Sequence, residues 1–339
     1  MSYWSQCGLK ARLGRVSSVS MRILITGGFG FVGGRLAVHL AQAGHQVVLG
    51  SRSANSSPAW LPQAEVVQIH WDDERALLES CNGIDAVIHA AGMNAQNCAS
   101  NPVAALEFNG VATARLVAAA CRASVRGFIY LSTAHVYVNP LVGVITEESC
   151  PRNLHPYATS HLAGEQAVLR ASEQDKLEGI VLRLSNAFGA PVHRESNCWM
   201  LLVNDLCKQA VQTRKLILHT NGRQQRDFIA LSEVSQVVDQ LLSIMINDHG
   251  VNGVLNIGSG VSDTVLSMAN LIQRRCLYVL GYEPELHLER DEEQRVLQAL
   301  EYKSSRLASL GISTRSSNAI HEIDKLLLFS RATFSSDTN

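Results

Sequence analysis

The stretch Ile23-Leu24-Ile25-Thr26-Gly27-Gly28-Phe29-Gly30-Phe31-Val32-Gly33 limits the possible folds more than any other part of the chain. Met21 to Ile25 is a short apolar run rich in β-branched residues, the pattern of a strand buried on both faces of a parallel sheet. Gly27, Gly30 and Gly33 follow at Gly-x-x-Gly-x-x-Gly spacing. The first allows a tight turn, the second lets backbone approach a pyrophosphate, and the third lets a helix pack closely on the strand. Apolar residues then recur at helical spacing from Phe31 to Ala43, so Phe31 and Val32 open a helix whose free N–H groups face the phosphates. Gly44 ends that helix, and His45 to Leu49 reads as the next strand. Strand, glycine turn, helix and strand within about thirty residues make a nucleotide cradle.

The remainder of the first half keeps this rhythm. Ala54 to Pro62 is a polar loop, Glu65 to Ile69 a third strand, and Asp72-Asp73 opens a helix reaching Leu78. These carboxylates are candidates for the helix N-cap and for the adenine amino group. Asp85 to His89 is a fourth strand, closing in Ala90-Ala91-Gly92, small residues that let backbone lie against a cofactor. Pro102 to Ala123 is a long helix with Pro102 in its first turn. Gly127 to Leu131, Pro156 to Arg170 and Ile180 to Leu184 continue as strand, helix and strand. Such alternation predicts an α/β fold of Rossmann type, a doubly wound parallel sheet over residues 21–186.

Beyond Asn186 helical patterns (Cys198 to Val211, Leu231 to Ile246, Thr264 to Leu280) alternate with short strands (Lys215 to Leu218, Val254 to Ile257, Leu286 to Leu288). They predict a smaller, discontinuous C-terminal substrate lobe over 187–329, with segments near 227–257 returning to the nucleotide domain. Ser330 to Asn339 reads as a polar tail. Residues 1–20 carry Lys10, Arg12 and Arg15 with no acid and no apolar core, and read as a disordered extension.

Composition bounds the partners. A net charge of −1 gives no bulk electrostatic reason to expect nucleic acid or an anionic membrane. No uninterrupted apolar run reaches the roughly 18 residues of a membrane span. The eight cysteines, Cys7 among them, are dispersed without Cys-x-x-Cys pairs or metal-ligand spacing, which suits a reducing, cytoplasmic setting and predicts no metal. After the second strand, Gly50-Ser51-Arg52-Ser53 has no acid to meet the adenosine ribose 2′-hydroxyl. Arg52 instead supplies a cation suited to a 2′-phosphate, which points to NADP over NAD.

Three pieces coincide with this cradle: the Thr26 to Gly33 turn, Leu131-Ser132-Thr133-Ala134-His135-Val136-Tyr137, and Tyr157-Ala158-Thr159-Ser160-His161. With Arg183 to Gly189, Gly222 to Ile229 and Asn256 to Gly260, they resemble the extended short-chain dehydrogenase/reductase family of NAD(P)-dependent sugar-nucleotide epimerases, dehydratases and reductases. The resemblance runs from about Arg22 to Leu310. It implies that Tyr157 exchanges a proton with the substrate oxygen, that Thr133 hydrogen-bonds the same oxygen, and that the nicotinamide exchanges hydride. It also implies a cofactor role for Asn109, in a helix resembling Asn-x-x-Gly-Thr but with Ala112 at the glycine position. Asn186 and Arg226 are the implied substrate contacts, the guanidinium fork matching a diphosphate. Arg290 or Arg295 is a candidate for a further phosphate contact. Relatives often pair through helices equivalent to 102–123 and 156–170, so the resemblance implies a homodimer.

The departure from the family lies at His161, where the pattern has lysine. An i, i+4 pair shares one helix face, so His161 still meets Tyr157 and the nicotinamide ribose. A lysine about 5 Å from the phenolate is worth ~3 kcal/mol at an effective dielectric of ~20, roughly two pKa units. Histidine, titrating near roughly 6.5, lacks much of that charge at neutral pH. Oxidation needs tyrosinate as base, whereas ketone reduction needs neutral tyrosine as acid. The sequence therefore favours an NADPH-dependent ketoreductase, with a 4-epimerase next and a catalytically impaired nucleotide-binding scaffold as the reading from another class. A 4,6-dehydratase is disfavoured because Ala134 and His135 stand where Asp and Glu would move protons.

Overall fold

The computed structural model describes residues 20–53, 56–247, 250–289, 299–314 and 318–335. The N-terminal extension, Cys7, Arg290 and Arg295 lie outside these residues.

The nucleotide half runs β1 (Arg22–Thr26), α1 (Phe31–Gln42), β2 (Gln46–Ser51), β3 (Glu65–Gln68), α2 (Glu74–Ser80), β4 (Ala86–His89), α3 (Ala95–Ser100) and α4 (Pro102–Ala105). A π-helical segment, Leu106–Ala112, then leads into α5 (Thr113–Arg122) and β5 (Gly127–Thr133). Next come β6 (Gly143–Ile145), α6 (Pro156–Glu173), β7 (Glu178–Leu184) and β8 (Asn186–Phe188). The last third holds α7 (Leu202–Thr213), β9 (Lys215–Leu218), β10 (Gln225–Ala230), α8 (Leu231–Asn247), β11 (Gly253–Ile257) and β12 (Ser262–Thr264). It closes with α9 (Val265–Leu280), β13 (Glu285–Leu288), β14 (Leu300–Tyr302), α10 (Ser305–Ser309) and α11 (Ala319–Phe334).

Seven parallel strands form one sheet in the order β11-β7-β5-β4-β1-β2-β3. The order reverses between β1 and β4, so a crevice opens at their C-terminal ends, where the glycine turn lies. One face is covered by α1 and α8 through Leu36, Leu40, Val234 and Leu241, and the other by α2, α5 and α6 through Leu77, Leu116 and Val168. A third core, around Leu206, Leu218, Phe228, Ile272 and Leu326, builds the smaller lobe. Val254 to Ile257, within the stretch near 227–257, is the edge strand of the main sheet.

Two expectations need correction. Ser330 does not begin a tail: α11 runs through it to Phe334, with Ile323, Leu326, Leu327 and Ser330 buried and Phe334 edge-on to Trp199 at 4.9 Å. The serines and threonines around it suggested a tail, but the apolar face of 323–327 needed a partner and found it on α7 and α9. The predicted helix from Pro102 is interrupted by its π segment, and the continuous span Pro102–Arg122 is long and apolar enough to cross a membrane. Half of that span is buried within the protein, against α6 in particular.

Candidate active site

The glycine turn forms as its spacing requires. Gly27 takes a positive φ of 70°, and the N–H of Gly30 donates to its carbonyl at 2.8 Å. A Cβ on Gly27 would lie 2.7 Å from the amide nitrogen of Ala91, and one on Gly33 would collide with the Gly27 carbonyl. The turn is therefore pressed against Ala90-Ala91 from one side and α1 from the other. Among the described residues no side chain caps α1 at Gly30, so its first amides remain available to an anion. These features fit a dinucleotide pyrophosphate. Phe31 and Val32 lie half-buried in the first turn, and Arg52 is exposed beyond β2.

A roof over the turn was invisible from the sequence. His193, from the loop after β8, donates from Nε2 to the Phe29 carbonyl at 2.7 Å and stacks on Trp60 at 5.8 Å. Asp73 proves to be the N-cap of α2, accepting from the amides of Arg75 and Ala76. Asp72 is exposed and ion-paired with Arg115.

The catalytic candidates meet where β5 ends and α6 begins. His155 caps α6, its Nδ1 accepting from the Tyr157 amide at 3.1 Å, and Pro156 fills the first turn. Tyr157 and His161 then lie on one face, their rings edge to face at 4.6 Å. Burial pushes the Tyr157 phenol up to about 12, with a hydrogen bond from Thr133 pulling the other way. Burial pushes the His161 imidazole down to about 4, so it is neutral at pH 7. The Thr133 hydroxyl accepts the His135 amide at 3.1 Å, leaving its own hydrogen to donate.

Asn109 sits in the π segment, completely buried. The extra residue of that segment turns its side chain toward the site: Oδ1 accepts from Met93 N at 2.8 Å and Nδ2 donates to Ser160 Oγ at 3.0 Å. Asn109 thus joins the exit of β4 to α6, which is a bracing role seen only in three dimensions.

At the substrate end Arg226 is half-buried, and burial lowers its pKa. Among the described residues no carboxylate pairs with it; its Nη2 donates only to Gln224, at 3.3 Å. Asp227, the obvious neighbour, is occupied by Ser185, Ser259 and Gly260. Asn186 spends its amide on the Asp227 carbonyl at 3.0 Å. The sequence reading missed His135 as a site residue. It is half-buried beside Thr133, and burial together with the charges of Arg226 and His155 lowers its pKa.

Fold and site together define a dinucleotide-binding α/β protein with a tyrosine, a threonine and a neutral histidine beside the cofactor crevice. Residues 23–258 match the NAD dependent epimerase/dehydratase family, and the chain belongs to that family of extended short-chain dehydrogenases. It is 31% identical over 257 residues to dTDP-6-deoxy-L-talose 4-dehydrogenase (NAD(P)(+)) of Kitasatospora kifunensis, covering 74% of this chain and 78% of that one. It is 28% identical to UDP-glucose 4-epimerase of Haemophilus influenzae over 78% and 85% of the two chains. The fold is similar to Thermus thermophilus UDP-glucose 4-epimerase in complex with NAD, with a TM-score of 0.73 at 19% identity, covering 94% and 100%.

Proposed function

We propose that this protein is an NADPH-dependent reductase of a nucleotide-activated keto-sugar. The observation that carries the reading is that an imidazole, not an ammonium, meets the Tyr157 ring edge to face at 4.6 Å, with burial keeping His161 neutral and pushing the phenol up. Without a cation on that helix face, Tyr157 stays protonated at neutral pH, an acid ready to donate and a scarce base. When bound, the nicotinamide supplies the hydride. Thr133 donates a hydrogen bond to the carbonyl oxygen and orients it toward Tyr157, whose phenol gives that oxygen its proton. Water then reprotonates the tyrosine, whose half-buried ring remains reachable.

Arg52, exposed where family members binding NAD carry an acid, supports NADPH over NADH. Arg226, free of carboxylate partners among the described residues, supports recognition of a diphosphate. The 31% relative is named for a 4-dehydrogenase that uses NAD(P)(+), in keeping with a ketoreductase.

The epimerase reading draws on the Haemophilus influenzae relative and begins with oxidation, which a high phenol pKa retards. Stoichiometric NADPH consumption with a keto-sugar nucleotide, abolished in Tyr157→Phe, is the expected result. Interconversion of two sugar nucleotides without net NADPH loss would make the protein an epimerase. A wild type as silent as Tyr157→Phe while still binding cofactor would make it a scaffold. We further propose a homodimer through the helix Pro102–Arg122, where Val103, Leu106 and Val111 are exposed. Sedimentation at micromolar concentration tests this, with a monomer as the contrary outcome.

A further inference from the structure

A row of polar side chains crosses the sheet near its C-terminal edge. Backbone register aligns Thr26 with His89 and His89 with Tyr130. Thr26 Oγ1 is 2.6 Å from His89 Nδ1, His89 Nε2 is 2.8 Å from Thr113 Oγ1, and the His89 and Tyr130 rings stack at 5.4 Å. Thr113 donates its hydrogen to the Asn109 carbonyl at 2.8 Å, so it accepts from His89 Nε2–H, and Thr26 donates to Nδ1. The row ends at the Tyr130 hydroxyl, 2.8 Å from Nδ1 of His161. Room for that hydroxyl comes from Gly164, where a Cβ would stand 2.8 Å from the Tyr130 oxygen.

We propose that Tyr130 is a positioning residue that holds His161 as the Nε2–H tautomer, making a neutral imidazole a fixed hydrogen-bond donor toward the cofactor ribose. The inference rests on the oxidoreductase reading for its purpose, though not for its geometry. A phenol O–H is a much stronger acid than a neutral imidazole N–H, and an imidazole nitrogen is the better acceptor. Tyr130 therefore donates and Nδ1 accepts, which leaves the ring hydrogen on Nε2. Burial raises the phenol and lowers the imidazole, so the proton does not transfer and the pair stays neutral.

The Nε2 side faces the exit of β4: a Cβ on Gly92 would lie 3.7 Å from His161 Cε1 and 3.9 Å from Nε2. Among the described residues no protein group takes the Nε2 hydrogen. A lysine at this place would bring a donor and a charge. The Tyr130–His161 pair retains the donor and omits the charge, which leaves Tyr157 protonated, ready as an acid and scarce as a base.

The test is the tautomer itself, read from long-range 1H–15N correlation spectra of the 15N-labelled full-length protein, with His161 assigned by its absence in His161→Gln. The expected result is Nε2–H in the wild type at pH 7. In Tyr130→Phe, which keeps the ring against His89, a mixture of tautomers is expected, with NADPH affinity about three- to tenfold weaker. A wild-type His161 that is cationic or carries Nδ1–H would overturn the proposal, and so would an unchanged tautomer in Tyr130→Phe. If the variant does not fold, the wild-type spectrum can still overturn the proposal, and Tyr130→Leu with the same readout takes its place. If the tautomers behave as expected and neither NADPH nor NADH binds, the assignment stands and the oxidoreductase reading fails.

Discussion

In the proposed reductase, His161 concentrates the chemistry in one substitution. Restoring a cation there, His161→Lys, is expected to lower the Tyr157 pKa by roughly two units, from ~3 kcal/mol of Coulomb energy about 5 Å from the phenolate. Alcohol oxidation should then rise and its pH optimum move down, while reduction changes less. Rate profiles in both directions between pH 6 and 10 check this, and a larger gain in reduction would contradict the argument. Arg52 offers a second test. Arg52→Ala should weaken NADPH about tenfold, the ~1.4 kcal/mol of a solvated charge-assisted contact, and leave NADH nearly unchanged. Equal affinities for the two cofactors in the wild type would remove the 2′-phosphate argument. Arg52, Tyr157 and His161 stand out in the sequence because motif spacing places them; Tyr130 does not, because its contact is with a residue thirty-one positions away.

Elements position these residues through polar contacts that periodicity does not reveal. α6 is tied to the sheet by Glu165, completely buried, whose carboxylate accepts from Arg183 at 2.6 and 3.0 Å and from Ser132 at 2.5 Å. Removing one partner leaves a buried charge alone, so Glu165→Ala should cost about 3–5 kcal/mol in denaturant unfolding. A cost under about 1 kcal/mol would show that the tie does little. The π segment Leu106–Ala112 is the matching device on the neighbouring helix. Its apolar residues keep ordinary helical spacing, so the sequence predicts one uninterrupted helix. The extra residue is accommodated because Asn109 gains bonds to Met93 and Ser160 and Gly110 lets α6 approach, with Ala163 3.1 Å from its missing Cβ.

Across the whole molecule, the last helix returns to the first. Glu322, on α11 and almost completely buried, accepts from Arg35 on α1 at 2.5 and 3.1 Å, and Arg35 also donates to the Ala190 carbonyl. The lobe is thereby fastened beside the glycine turn, and deletion of residues 319–339 should abolish cooperative folding, as circular dichroism melting would show. Acid stability follows from the buried histidines. His89, lowered to about 3, and His161, lowered to about 4, bind fewer protons when folded than when unfolded. Their stabilisation is complete above roughly pH 6.5 and is lost as pH falls toward 4, up to ~3 kcal/mol each. Glu233, raised to about 7 by burial, works in the opposite direction, its protonated form stabilising the fold below that pH. The net expectation is a stability that falls by a few kcal/mol between pH 6.5 and 4.5, measured by urea unfolding. A flat profile would mean the histidines are not sealed from solvent.

The sequence by itself determined the strand–glycine–helix cradle, the alternating order of the nucleotide half and the Tyr157–His161 pair, because each is set by contacts between near neighbours or by the fixed periods of helix and strand. Only the tertiary structure decided that Asn109 braces two elements, that Asp227 is taken up by Ser185, Ser259 and Gly260 while Arg226 meets no carboxylate among the described residues, and that α11 closes the lobe. It alone decided that His161 is neutral with Tyr130 on its Nδ1. Burial and hydrogen-bond partnership arise between residues distant along the chain, and these set the charge and the proton position on which the chemistry turns.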